Sequence, residues 1–108
     1  MAKRKIDAKV KKTLETYLTK ISEFYHVDAA YLFGSFASGN THEYSDIDVA
    51  IVSSDIQNRF KDMGKLFALT RGVDTRIEPH PFHTDEFNKN SSFVHEILRT
   101  GIPIYAET

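Results

Sequence analysis

The sequence predicts an α/β fold, namely a sandwich of the α+β type in which a small mixed β-sheet packs against helices. Short β-branched apolar runs alternate along the chain with segments whose apolar residues recur every three or four positions. The chain has 108 residues, of which 41% are hydrophobic and 27% are charged, the balance of an ordinary globular protein. A chain of this length supports one hydrophobic core, so we expect a single domain over residues 1–108.

The first segment predicts an amphipathic helix that starts near Asp7, which can act as its N-cap. Its apolar residues fall at steps of four and three and continue into two aromatic residues: Ile6, Val10, Leu14, Leu18, Ile21, Phe24 and Tyr25. The other faces of this helix are charged, and basic side chains predominate in residues 3–20. We interpret the basic face as solvated; the alternative is a site for a polyanion or an acidic partner.

Two strands are predicted in the first half of the chain. Residues 29–33 form an apolar run that stops at Gly34, which is typical of a buried strand. Residues 34–39 then predict a turn or a short helix, and the polar residues 40–45 predict a loop. The β-branched residues 46–52 predict the second strand.

A helix and a third strand follow. Residues 55–71 have a wide apolar face and end at Gly72, the usual position of a C-cap glycine. Residues 73–78 predict the third strand, which should end before Pro79 and Pro81 because proline disrupts the hydrogen bonding of a sheet.

The end of the chain predicts one more helix and one more strand. The helix is expected to be capped by Thr84 or Asp85 and to end at Gly101. Residues 102–105 then predict a short edge strand.

Asp46 and Asp48 are the first candidates for a functional site. Side chains alternate along a strand, so these two share one face, with their Cα atoms about 6.5–7 Å apart. Ile47, Val49 and Ile51 take the opposite face and can enter the core. Two carboxylates this close repel each other unless a cation neutralises them. The pair therefore predicts a cation site.

Asp74 is expected to lie beside this pair. If the second and third strands are parallel, the helix between them forms a right-handed crossover and both strands start at the same end of the sheet. Asp74 would stand at the start of the third strand. Glu78 shares its face but lies about 13 Å further along the strand, so we expect it to be a half-exposed acid paired with a base. Arg76 can pair with an aspartate.

Gly34 and Ser35 predict a phosphate-binding turn in front of the acidic cluster. The glycine lets the backbone approach a ligand, the amides that follow open a helix N-terminus, and the serine hydroxyl can donate to a phosphate oxygen. Carboxylates suit Mg²⁺, and two such ions about 3.5–4 Å apart can clamp the attacking and leaving oxygens of a nucleotidyl transfer. The combination predicts a site for a nucleoside triphosphate with Mg²⁺.

These residues carry a resemblance to a known family. Gly34-Ser35, ten residues, then Asp46-Ile47-Asp48 resembles the Gly-Ser…Asp-x-Asp signature of the DNA polymerase β nucleotidyltransferase superfamily. The longer stretches Leu32–Gly39 and Ser45–Val52 are similar to the minimal nucleotidyltransferases (MNT) of bacteria and archaea. Val73–Ile77 resembles the strand that carries the third metal-binding aspartate of that superfamily.

The resemblance implies a polymerase β-like nucleotidyltransferase fold and a metal-dependent nucleotidyltransferase (EC 2.7.7 type) that transfers AMP from ATP to a hydroxyl acceptor. It implies that Gly34 and Ser35 hold the triphosphate and that Asp46 and Asp48 bind two Mg²⁺ ions. It further implies that Asp74 binds one ion and helps to deprotonate the acceptor.

The resemblance also bears on partners. Small members of the family often act as antitoxins of a helical HEPN-family protein, some by modifying a tyrosine of that protein with AMP. We therefore expect a protein acceptor on such a partner and leave a homo-oligomer open. The alternative is a non-catalytic, nucleotide-binding module of the same fold that masks its partner.

Composition excludes or disfavours several other classes. The chain has no cysteine, which excludes disulfide scaffolds, cysteine zinc sites and thiol nucleophiles. A net charge of −1 disfavours a globally basic nucleic-acid binder, and no apolar run is long enough for a membrane span, so we expect a cytoplasmic protein. His80 and His83 are too few ligands for zinc, and residues 34–41 lack the lysine of a P-loop.

Overall fold

The structure, a computed structural model, describes residues 6–38, 46–88 and 91–106. Its elements in chain order are α1 (Ala8–Ile21), β1 (Ala29–Phe33), α2 (Ser35–Ser38), β2 (Ile47–Val52), α3 (Arg59–Ala68), β3 (Ile77–Phe82), a 3₁₀ turn (Thr84–Glu86), α4 (Ser92–Thr100) and β4 (Ile102–Ala106). The basic residues 3–5, the loop predicted at 40–45 and Gly39 of the family motif lie outside the described residues. No helix in the described ranges is both long enough and apolar enough to span a membrane.

The four strands of the described residues form one mixed sheet in the order β3-β2-β1-β4. β1 runs antiparallel to both of its neighbours, whereas β2 and β3 are parallel and are connected through α3. The predicted sandwich of helices on a small mixed sheet is confirmed, and so is the parallel pairing of the second and third strands. β3 and β4 are the two edges.

Helices cover both faces of the sheet. The core on one face joins α1 and α3 to the fully buried side chains of Ile47, Val49 and Ile51, as predicted from their alternation with the aspartates. On the other face, Val94 and Ile97 of α4 pack in a smaller cluster. The acidic residues of β2 therefore lie on the less covered face, where a ligand can approach.

Side-chain caps define the starts of three helices, and two of these starts differ from the prediction. Asp7 caps α1 as predicted and accepts hydrogen bonds from two backbone N–H groups. α3, expected from residue 55, begins only after Asn58, whose side chain accepts from the N–H of Lys61. The last helix is not capped by Thr84 or Asp85: those residues form the 3₁₀ turn, and Ser91 caps α4.

The position of β3 is the most important correction to the predicted fold. The strand was expected at residues 73–78 and lies at Ile77–Phe82. Both prolines are inside it, which an edge strand tolerates because only one side of its backbone must pair. Residues 70–76 instead form hydrogen-bonded turns after α3, in which Thr70 accepts from the N–H groups of Val73 and Asp74. Asp74 is therefore not on the strand.

Candidate active site

An acidic cluster with one histidine lies where β2 and β3 run side by side. Asp48 of β2 and Glu78 of β3 are register partners in the parallel pair. His80 Nε2 lies 3.1 Å from Asp48 Oδ1. One ligand atom from each of the three side chains lies within 4.8 Å of the other two. We call Asp48, Glu78 and His80 the β2–β3 cluster; its donor set is able to hold a metal ion.

Asp46 adds a further carboxylate to this end of the sheet. It is exposed and directly precedes β2, two residues before Asp48. Burial raises the pKa of Glu78, the charge of Asp48 raises it further, and Asp46 adds to this rise against the opposing charge of His80. The acids therefore repel one another as predicted for a cation site, and the raised pKa falls on Glu78, which lies outside the predicted trio.

Asp74 has a different environment. Its carboxylate accepts a hydrogen bond from the backbone N–H of Arg76 at 2.9 Å and forms an ion pair with the guanidinium of Arg76 at 2.8 Å. The hydrogen bonds from Arg76 outweigh burial and hold the pKa of Asp74 below its usual value. Among the described residues, Asp74 is not grouped with the β2–β3 cluster. The predicted pairing of Arg76 with an aspartate is confirmed.

Glu78 was not expected at the site because the predicted start of the third strand lies four residues too early. With β3 beginning at Ile77, Glu78 is its second residue and lies opposite Asp48. The signal that could have found it is the acid between two apolar residues, Ile77 and Pro79, in the same pattern as Asp48 between Ile47 and Val49. The expectation that Glu78 lies too far from the aspartates is wrong.

Gly34 and Ser35 lie at the same end of the sheet as the cluster. Phe33, the last residue of β1, is the register partner of Asp48, so the turn that follows β1 reaches the aspartate. Gly34 has a positive φ of 75°, and a Cβ at this position would clash with the Asp48 carboxylate. Ser35 begins α2 directly after it. The predicted phosphate-binding turn is thus adjacent to an acid of the predicted metal site.

His80 belongs to a cluster of aromatic rings in which Phe33 and Phe93 also contact each other. Its imidazole makes edge contacts with Phe33 and Phe93, at centroid distances of 4.9 and 6.2 Å. His83, the other histidine of this segment, is directed elsewhere and lies 3.7 Å from Asp85. Of the other aromatic residues near His80, Phe82 is buried while Phe93 is exposed.

A groove between α3 and β3 opens beside Glu78. It has a volume of about 620 Å³, and both Asp46 and Glu78 are among its lining residues. Its α3 wall consists of Phe60, Met63 and Phe67, all of which expose apolar surface to solvent, with Phe60 88% exposed. An apolar surface of this kind next to an acidic cluster is typical of a binding site.

The family follows from the sequence. The family model described as "Polymerase beta, Nucleotidyltransferase" matches residues 9–108. The chain belongs to the polymerase β nucleotidyltransferase family. The resemblance on Gly34-Ser35 and Asp46-x-Asp48 is thereby confirmed at the level of the family, and the fold is the polymerase β-like nucleotidyltransferase fold. No curated protein matches the chain.

Solved structures share this nucleotidyltransferase fold at low sequence identity. One is a toxin–antitoxin complex with AMP-PNP, with a TM-score of 0.61 and 20% identity over 91% of this chain and 74% of the other. A second is a protein from Sulfolobus solfataricus assigned as a nucleotidyltransferase, with a TM-score of 0.57 and 20% identity over 92% and 78%. A third is a mutant of the toxin–antitoxin complex MntA–HpeT, with a TM-score of 0.50 and 21% identity over 93% and 73%.

Proposed function

We propose that this domain transfers AMP from ATP to a hydroxyl group of a partner protein and releases pyrophosphate. The observation that carries the proposal is the meeting of Asp48 and Glu78 in register beside Gly34. Asp46 and Ser35 complete the site in the proposal. Membership of the nucleotidyltransferase family supports this reaction class.

Divalent metal ions, Mg²⁺ in the family, are the cofactor of the proposed reaction, and the residues present fit them. Hard cations take carboxylate oxygens, and Mg²⁺ combines a few carboxylates with substrate phosphates. We propose that Asp46 and Asp48 hold the ions together with Glu78, which takes the place predicted for Asp74. The mutual repulsion that raises the pKa of Glu78 would be relieved by a bound cation.

In the proposed reaction the acceptor oxygen forms a bond to the α-phosphorus of ATP, and the bond from that phosphorus to the oxygen bridging the β-phosphate breaks. Asp46, Asp48 and Glu78 would hold the metal ions, which would supply charge neutralisation at the attacking and leaving oxygens. Gly34 and Ser35 position the triphosphate, so that the leaving pyrophosphate is held on the β1 side. Glu78, which stands in the place predicted for Asp74, accepts the acceptor's hydroxyl proton on the β3 side.

The proposed acceptor lies on a protein, and we propose a helical HEPN-family protein as the partner. The groove on α3 supports a macromolecular acceptor because it presents Phe60, Met63 and Phe67 to solvent next to Glu78. Aromatic side chains and methionine are enriched in protein interfaces. The likeness to toxin–antitoxin complexes supports this choice of partner.

Label transfer from ATP labelled at the α-phosphate tests the proposal. The chain is incubated with Mg²⁺ and a HEPN-family protein, and that protein is examined for covalent label. Asp46→Asn and Asp48→Asn should each abolish transfer, whereas Asp85→Asn, an exposed acid at the far end of β3, should not. Inhibition of the partner that persists in both inactive variants, without label, would instead support the masking module.

A further inference from the structure

We propose that the imidazole of His80 is a metal ligand and that the β2–β3 cluster therefore selects a divalent first-row transition-metal ion over Mg²⁺. The inference rests on the proposed function in one respect, since it takes Asp48 and Glu78 to be the metal-binding acids. It goes further in assigning a nitrogen ligand and, through it, the class of metal ion.

The spacing of the donor atoms fits simultaneous ligation. In an octahedral site with metal–ligand bonds of about 2.0–2.2 Å, neighbouring ligand atoms lie roughly 3 Å apart. The distance from His80 Nε2 to Asp48 Oδ1 is 3.1 Å, and the nearest suitable oxygen of Glu78 is within 4.8 Å of both. One ion can thus be reached by all three side chains with small side-chain adjustments.

The imidazole is also held in place for this role. Phe33 and Phe93, which also contact each other, pack against the ring, and the His80 side chain is only 23% exposed. β3 orients His80 and Glu78 toward the same face, since they are two residues apart on one strand. The nitrogen donor is therefore presented next to the carboxylates without a rearrangement of the backbone.

A nitrogen ligand changes which ions the site prefers. Mg²⁺ and Ca²⁺ are bound by oxygen ligands, whereas imidazole favours transition-metal ions, with affinities that increase along the series from Mn²⁺ through Co²⁺ to Cu²⁺. A purely positioning role for His80, through its hydrogen bond to Asp48, makes a different prediction. Loss of a positioning residue would weaken binding of Mg²⁺ and Co²⁺ to the same extent.

Calorimetric titration with Co²⁺ and with Mg²⁺, each without nucleotide, separates these two roles. The wild-type chain should bind Co²⁺ at least about tenfold more tightly than Mg²⁺. His80→Gln, which keeps a hydrogen-bond donor near Asp48, should lose most of that preference by weakening Co²⁺ binding alone. His95→Gln, a change in an exposed histidine of α4, is the matched control and should behave as wild type. Equal effects on the two ions in His80→Gln, whether both affinities fall or neither does, would overturn the inference.

Pulsed EPR of the chain loaded with Mn²⁺ gives a second readout, which is the presence or absence of a coordinated nitrogen. Coupling of the electron spin to an imidazole nitrogen is expected, and it should disappear in His80→Gln but persist in His95→Gln. If the wild-type chain binds Mn²⁺ and Asp48→Asn does not, yet the wild-type spectrum shows no nitrogen coupling, then the histidine is not a ligand. That result would overturn the inference but would not contradict the proposed function.

Discussion

Asp48 and Glu78 are register partners in the parallel pair of β2 and β3. Adjacent strands lie about 4.8 Å apart, so the two carboxyl groups project from neighbouring backbone positions on one face. Burial and the charge of Asp48 together raise the pKa of Glu78. The metal-free protein therefore keeps two acids side by side at an energetic disadvantage, which a bound cation would remove.

Glu78→Gln should stabilise the metal-free protein at high pH. An acid whose pKa is raised by folding does not reduce the free energy of unfolding below its ordinary pKa. The folded state loses stability as the pH rises through the raised value. At pH 8 in EDTA we expect the free energy of unfolding of the variant to exceed that of wild type by about 0.5 kcal/mol, a small value because Glu78 is exposed. This corresponds to a rise of about 2–4 °C in melting temperature. At pH 4 the difference should vanish. Thermal unfolding across this pH range is the measurement.

With a saturating divalent metal ion the wild type should be more stable than Glu78→Gln, because metal binding stabilises the wild type and not the variant. Glu86→Gln, a change in an exposed acid of the 3₁₀ turn after the other end of β3, serves as the control and should show neither effect. A metal-free Glu78→Gln variant that is less stable than wild type at pH 8 would contradict the repulsion.

Asp74→Asn should destabilise the fold without affecting metal binding. The pKa of Asp74 is lowered by Arg76, so its contribution is present above the ordinary pKa and is lost as the pH falls through the lowered value. We expect a loss of about 1 kcal/mol at pH 7, limited by the 41% exposure of the Arg76 side chain, and a smaller difference below about pH 4. Parallel metal titrations of Asp74→Asn and Glu78→Gln assign the third ligand: abolished binding in a folded Asp74→Asn would restore the original prediction.

Much of the fold could be predicted because hydrophobic periodicity reports burial directly. The alternation at Ile47, Val49 and Ile51 fixed which face of β2 is buried, and the capping of α1 by Asp7 followed from local chemistry. The start of β3 could not be obtained in this way. The rule that proline ends a strand holds for central strands, and the edge position of β3 is set by tertiary pairing that the local pattern does not contain.

The misplaced start of β3 also explains which part of the site prediction differs from the structure. Asp46, Asp48, Gly34 and Ser35 were predicted from residues close together in sequence, and the structure brings Gly34 next to Asp48. The third acid depends on the register between strands that are distant in sequence. The predicted strand start, four residues too early, therefore placed Asp74 beside Asp48, where the structure has Glu78, while leaving the topology correct.

Gly34→Ala should impair metal binding, and Gly72→Ala provides a matched comparison. Both glycines have a positive φ, 75° and 81°, so each alanine introduces backbone strain of roughly 1–2 kcal/mol. At Gly72 a Cβ meets nothing within 4 Å, whereas at Gly34 it clashes with the Asp48 carboxylate. Thermal unfolding should show a loss in both variants, and titration with Mg²⁺ should show weaker binding only in Gly34→Ala. Equal metal affinity in the two variants would show that the turn after β1 does not contribute to the metal site.

Phe67→Ser should reduce transfer to the partner protein while leaving the reactive centre intact. Phe67 lines the groove beside Glu78 and is 52% exposed, so its removal should change the free energy of unfolding by only about 0.5 kcal/mol. Phe24→Ser is the matched control, because Phe24 is also 52% exposed but does not line the groove. We expect label transfer to fall at least about tenfold in Phe67→Ser alone, with metal affinity unchanged in both, as for loss of an aromatic anchor in an interface. If both variants transfer label at the wild-type rate, the acceptor does not approach along α3. The apolar surface that Phe67 forms with Phe60 and Met63 would then bind something other than the acceptor protein.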